Sequence, residues 1–241
     1  MKRRLLNLVQ ALRPVKTKYP LIRVGGKNDG GYLLPDDLSG ISMCFSPGVA
    51  ETATFESDLL KRGIWSHLAD ASVDEPPMGL TVASFTKKFL GVVNDEEYMT
   101  LEYWVKREAP LTGDLLLQMD IEGAEYQTII ATPIDILRRF RIIAVEVHDV
   151  QAWFNNPIAW ETVQDFFSKL LADFRVVHNH PNNNCPFIDV GGFLMPIVFE
   201  LTLLRKDRAI PEGYCDQFPH PLDQPNVTNK DDRPLPEGWY K

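Results

Sequence analysis

Asp120 and Glu122 stand two residues apart at the end of a short apolar run through Leu115, Leu116, Leu117 and Met119. Such a run reads as a buried strand, and carboxylates at its end need a reason. In open α/β sheets ligands bind outside the carboxyl ends of the strands, which is where these two acids are expected. A second apolar run, residues 141–148, closes on Glu146, Val147 and His148. Residues two apart on a strand share a face, so Glu146 and His148 are expected side by side. An imidazole there can accept a proton near neutrality. His148 is the first candidate for a general base, with Glu146 to orient it and Asp120 and Glu122 beside it. A third polar group runs from His178 to Asn184 without one aliphatic side chain. It is expected to be a loop, either plainly solvated or recognising a hydroxylated, uncharged ligand through groups that both donate and accept. His178 is the second candidate base, and His180, Asn182 and Asn183 are candidate acceptor contacts with Glu146. No Cys or His spacing supports a zinc site.

The elements that must position these groups alternate. Strands are expected at 41–45, 64–69, 80–82, 114–119, 141–148, 174–177 and 197–205, with helices at about 52–62, 94–107, 123–131 and 160–172. Asn94 or Asp95 would cap the second of these helices. The pattern is that of an α/β chain with a parallel sheet. Between the first strand and helix lies Ser46-Pro47-Gly48, and the second strand ends at Asp70, about 20 residues on, where a carboxylate accepts from ribose hydroxyls. There is no G-x-G-x-x-G fingerprint, which disfavours a dinucleotide pyrophosphate. Further upstream, Gly25-Gly26 and Gly30-Gly31 bracket Asn28-Asp29. That stretch reads equally as a hairpin turn and as a place where a ligand approaches the main chain.

The N-terminal residues Leu5, Leu8, Val9 and Leu12 fall at helical spacing and predict a docked amphipathic helix, with attachment to a membrane surface as the minor alternative. The Pro-rich residues from 211 onward form no core element and are expected to wrap the surface or lie across the mouth of the site. Three segments follow: a lead-in at 1–40, a main domain at 41–210 and a tail at 211–241. At 241 residues and 44% hydrophobic content the chain can bury one substantial core. Its net charge of -8, from 25 basic and 33 acidic residues, argues against nucleic acid as a partner. No run reaches transmembrane length. Three widely spaced cysteines favour free thiols and a cytoplasmic setting. Oligomeric state is not readable from these features.

The chain resembles the FkbM-type S-adenosylmethionine-dependent methyltransferases, including relatives of the methyltransferase-like 24 domain. The resemblance is carried by Asp29-Gly30-Gly31-Tyr32, Ser46-Pro47-Gly48 followed by Phe55-Glu56, Asp70, the run from Met119 to Glu125, and Glu146-Val147-His148. His178-x-His180-x-Asn182-Asn183, Glu200-Leu201-Thr202 and Leu222-Asp223-x-Pro225-Asn226 extend it over nearly the whole chain. It implies a Rossmann-like class I methyltransferase fold, with a mostly parallel central sheet and helices on both faces. It also implies O-methylation of a sugar or polyketide hydroxyl. S-adenosylmethionine would contact Asp29, Gly30, Gly31, Ser46, Pro47, Gly48, Glu51, Asp70 and Asp120, and a divalent metal is possible but not favoured. The glycine loop is reduced to Ser46-Pro47-Gly48. Two alternatives stand beside this reading: an enzyme using NAD or a nucleotide sugar, and a non-catalytic glycan-binding protein.

Overall fold

The computed structural model describes residues 2–49 and 53–241. Helix α1 (Lys2–Ala11) leads into a hairpin of β1 (Leu21–Val24) and β2 (Tyr32–Pro35), followed by β3 (Ile41–Pro47), α2 (Thr54–Lys61) and β4 (Trp65–Ala69). Three short strands come next, β5 (Ser84–Thr86), β6 (Phe89–Gly91) and β7 (Tyr98–Thr100), before α3 (Leu101–Glu108). The second half holds β8 (Asp114–Met119), α4 (Glu125–Ala131), α5 (Ile134–Leu137), β9 (Phe140–Val147), α6 (Pro157–Asp173) and β10 (Phe174–Pro181). A small hairpin of β11 (Phe187–Asp189) and β12 (Leu194–Pro196) precedes β13 (Phe199–Arg205). Among the described residues no helix is long and apolar enough to cross a membrane.

Seven strands form the central sheet in the order β10-β13-β9-β8-β3-β4-β5. The five from β9 to β5 are parallel, but β13 runs antiparallel to both β9 and β10. Strand β9 is buried along its whole length, as a continuous apolar run in the middle of a sheet must be. Its outward face in one direction packs with α1, α3, α4, α5 and α6 around Trp104, Trp153, Phe166 and Phe167. The other face is covered chiefly by the β1–β2 hairpin and α2, through Val24, Tyr32, Leu34, Phe55 and Leu59.

This architecture corrects the expected Rossmann-like class I methyltransferase fold with helices on both faces. The sheet is mixed, and a hairpin with one short helix takes the place of a full helical layer on the second face. Local pattern did not reveal either feature, because an apolar strand such as β13 reads the same in both directions. Three smaller corrections follow. The third strand lies at Ser84–Thr86 and not at 80–82. The expected helix at 94–107 begins only at Leu101, capped by Thr100, whose side chain accepts from the Tyr103 N–H. Asn94 and Asp95 instead accept backbone N–H groups of Thr100, Glu97 and Tyr98, closing a turn ahead of the helix. Finally, His178, Asn179 and His180 are strand residues of β10, buried rather than looped.

Candidate functional site

The parallel strands β8 and β9 end together, and their ends carry the chemistry. Just beyond β8, Asp120 and Glu122 turn toward His148, which follows β9; each carboxylate lies 3.6 Å from His148 Nε2. Glu146 Oε2 is 3.9 Å from the same nitrogen. The other imidazole nitrogen is fixed by a residue of α4: Glu125, with no exposed surface, places Oε1 3.0 Å from His148 Nδ1. Backbone strain brackets this group. Glu122 and Asp149 both adopt left-handed conformations, at φ +54° and +53°, which non-glycine residues hold only when their surroundings over-determine them.

Burial sets the electrostatics. Asp120 is pushed up to about 6 because burial penalises its charge, an effect that His148 and Glu146 only partly offset. Glu146 is held well above the ordinary carboxyl range by burial, then by the neighbouring charges of Asp120 and Glu200. Burial drives the His148 imidazole down, but Glu125, Asp120 and Glu122 outweigh it and raise the group. The pair Asp120 and Glu146 therefore resists carrying two charges at once.

A cleft of about 310 Å³ opens on the other side of Asp120, lined by Gly48, Asp70, Phe89, Leu90, Tyr98, Ile121 and Glu122 among others. Its walls combine aromatic and aliphatic surface with carboxylates at the rim. Asp70 uses Oδ1 to accept from the Ser72 N–H and hydroxyl, while no hydrogen bond to its second oxygen is formed by the described residues. Gly48, at φ +82°, has its own reason to be glycine: a Cβ there would stand 1.5 Å from the Asp120 carbonyl oxygen. Its N–H is spent on the Ala69 carbonyl, so Gly48 shapes the cleft through close backbone packing rather than by offering a free donor. Ser46 is buried beneath the loop, hydrogen-bonded with Glu56 and 2.6 Å from Gln118 Oε1, and Pro47 is the last residue of β3. Glu51 lies outside the described residues.

The remaining candidates gather on the hairpin side of the sheet. Glu146, Glu200 and His180 face one another in register across β9, β13 and β10. The tail supplies their partners. His180 Nε2 lies 2.9 Å from Asp232 Oδ1, and burial of its imidazolium is outweighed by Asp232 and Glu200, lifting it to about 10. His178 Nε2 is 2.9 Å from Asp223, away from His148 and enclosed. Asn226 donates to Glu200 Oε1 and Asp29 Oδ1, tying the tail to the Gly-rich turn that holds Gly30 and Gly31. Asn182 donates to Glu146 Oε1 at 2.7 Å, and the Asn183 amide is taken up by tail carbonyls such as that of Val227.

The structure thus brings Asp120, Glu122, Glu146 and His148 together, adds Gly48 and Asp70 across one cleft, and leaves His178, His180 and Asn183 with internal partners. The Gly-rich turn is the loop of the β1–β2 hairpin, and Asp29 contributes negative charge to the field at Asp120 and Glu146. Phe89 and Leu90 carried no sequence signal, and Tyr98 is expected on the apolar face of the helix at 94–107; β6 and β7 bring all three to the cleft. Glu125 did carry one, in its place three residues after Glu122. Set against known protein families and curated proteins, the chain matches none of them.

Proposed function

We propose that the chain is an S-adenosylmethionine-dependent methyltransferase of the FkbM type, acting on a hydroxyl of a small molecule or glycan. One observation carries the reading: Asp120 and Glu122 both line the cleft and both lie 3.6 Å from His148 Nε2. A donor in the cleft and a proton acceptor beside it would therefore share a wall. The cleft suits the cofactor in kind, with apolar and aromatic surface for a base, Asp70 for ribose hydroxyls, and carboxylates for positive charge. When bound, S-adenosylmethionine supplies an electrophilic methyl group on a sulfonium.

The chain's own part is to position and to move a proton. Asp70 would accept from the ribose through its unused oxygen. Asp120 and Glu122 would hold the cationic side of the donor near the strand ends. His148, its Nδ1 held by Glu125, would present Nε2 to the acceptor hydroxyl and take its proton as the oxygen attacks. Glu146, steadied by Asn182, would orient the acceptor. The reading carries a cytoplasmic setting, supported by cysteines that form no disulfide.

The test is transfer of a labelled methyl group from S-adenosylmethionine to a panel of sugars, nucleotide sugars and polyketide alcohols. Turnover on one acceptor class, reduced about 100-fold or more in His148→Gln, is expected. Turnover that His148→Gln leaves unchanged would remove the histidine from the reaction, and no transfer to any hydroxyl would count against the whole reading.

A further inference from the structure

We infer that Asp120, Glu146 and His148 form a binding site for one divalent cation of the manganese class. Two carboxylates and one imidazole, brought to the ends of adjacent strands, present ligand atoms that all lie within 4.8 Å of one another. Atoms bound at about 2.1 Å to one ion stand roughly 3 to 4 Å apart, and the distances from His148 Nε2 to Asp120 Oδ1 and Glu146 Oε2, 3.6 and 3.9 Å, meet that requirement. One imidazole points to a first-row divalent ion, and the two carboxylates place Mn²⁺ among those that fit.

The surroundings of the three atoms distinguish this group from an ordinary acidic cluster. Glu125 holds Nδ1 from behind, so the Nε2 lone pair faces the carboxylates, the arrangement by which a metal-bound histidine is oriented. Asn182 occupies Glu146 Oε1 and leaves Oε2, on a residue only 3% exposed, with no donor among the described residues. Asp120 Oδ1 is sealed from solvent and receives no hydrogen bond. No Lys or Arg of the described residues pairs with Asp120 or Glu146. Three acceptor atoms, one of them on the buried Glu146, thus face one another. A proton shared between two of them leaves the third without a donor, whereas a divalent ion engages all three. Glu122, its side chain 87% exposed, stands at the rim and leaves the side toward the cleft open.

With the ion bound, His148, Asp120 and Glu146 are its ligands, which replaces the roles that the methyl-transfer reading gives these three side chains and leaves Asp70 and Glu122 for the donor. The inference rests on the cluster alone. Failure of a methyl-donor analogue to bind would leave it intact, and failure of Mn²⁺ to bind would leave the donor cleft intact.

The test uses the full chain, freed of metal by a chelator and titrated with Mn²⁺ while free Mn²⁺ is followed by electron paramagnetic resonance. One ion per chain with micromolar affinity is expected. Asp120→Asn and Glu146→Gln should each weaken binding at least about tenfold, and Glu161→Gln, on the exposed side of α6, should not. Pulsed resonance of the wild-type complex should show nitrogen modulation from a coordinated imidazole, which keeps the inference testable if a variant fails to fold. No saturable binding below millimolar Mn²⁺, binding without nitrogen modulation, or equal affinity in folded variants would overturn it.

Discussion

Glu125 Oε1 accepts both the backbone N–H of His148, at 2.8 Å, and the hydrogen bond of its ring Nδ1, at 3.0 Å. One buried oxygen therefore fixes the end of β9 and the tautomer of the imidazole together. The second oxygen accepts the Gly123 N–H at 2.8 Å, so the same carboxylate also holds the turn that carries Asp120 and Glu122. Few side chains in the molecule tie so much of the site together.

Replacing Glu125 should consequently damage fold and site at once. Glu125→Ala strands three donors and is expected to cost about 3 to 5 kcal/mol in urea unfolding. Glu125→Gln keeps the shape and should cost less, about 1 to 3 kcal/mol. Equal and small losses for both variants would contradict this role.

Gly48 offers a sharper steric test. Its left-handed backbone and a Cβ that would meet the Asp120 carbonyl at 1.5 Å leave no room for alanine without moving the turn after β8. Gly48→Ala should lose more than about 3 kcal/mol of stability. A crystal structure of any surviving protein should show Asp120 displaced.

The tail should loosen in alkali. The His180 imidazolium titrates at about 10 in the folded protein against an ordinary 6.5, so its pairing with Asp232 and Glu200 stabilises fully below 6.5 and is lost as pH rises through 10. Asp223, held down by His178, His180 and the His220 N–H in spite of burial, acts in the opposite direction and fails as pH falls through its lowered range. The fall in Tm between pH 7 and 10 should be smaller in His180→Gln than in wild type. Parallel falls would dissociate His180 from the effect.

Stability can be separated from function at the opposite end of the sheet. Arg141 is buried and donates to Asp114 Oδ2 and to the carbonyls of Asp37 and Ser39. Arg205 and Arg208 also reach these two acids, so removing Arg141 leaves neither wholly uncompensated. Arg141→Met should cost about 2 to 3 kcal/mol while leaving cleft binding unchanged. A loss of ligand affinity in a folded variant would show coupling that the geometry does not provide.

Much of the site was legible because strand ends announce themselves. Continuous apolar runs stop at Asp120 and at Glu146 and His148, and the two-residue repeat of any strand puts the last two on one face. What stayed hidden depends on distant partners. His180 lies in a strand with Asp232 and Glu200 as partners and His178 with Asp223 2.9 Å from its Nε2, and no local propensity marks a His-Asn-His strand. The direction of β13 and the hairpin layer over the second face are likewise global facts, set by connections and packing rather than by a window of residues. Leu80 and Val82 look like a strand, yet they pack as partly buried coil beside Leu68, and the ladder falls on Ser84–Thr86.

Calorimetry with S-adenosylhomocysteine, on wild type and Asp70→Ala, tests the central claim most directly. The account predicts micromolar binding to wild type, weakened by about 1 to 3 kcal/mol when the carboxylate that would receive the ribose is removed. Absence of binding to the wild-type chain, with and without added Mn²⁺, would contradict the methyltransferase reading.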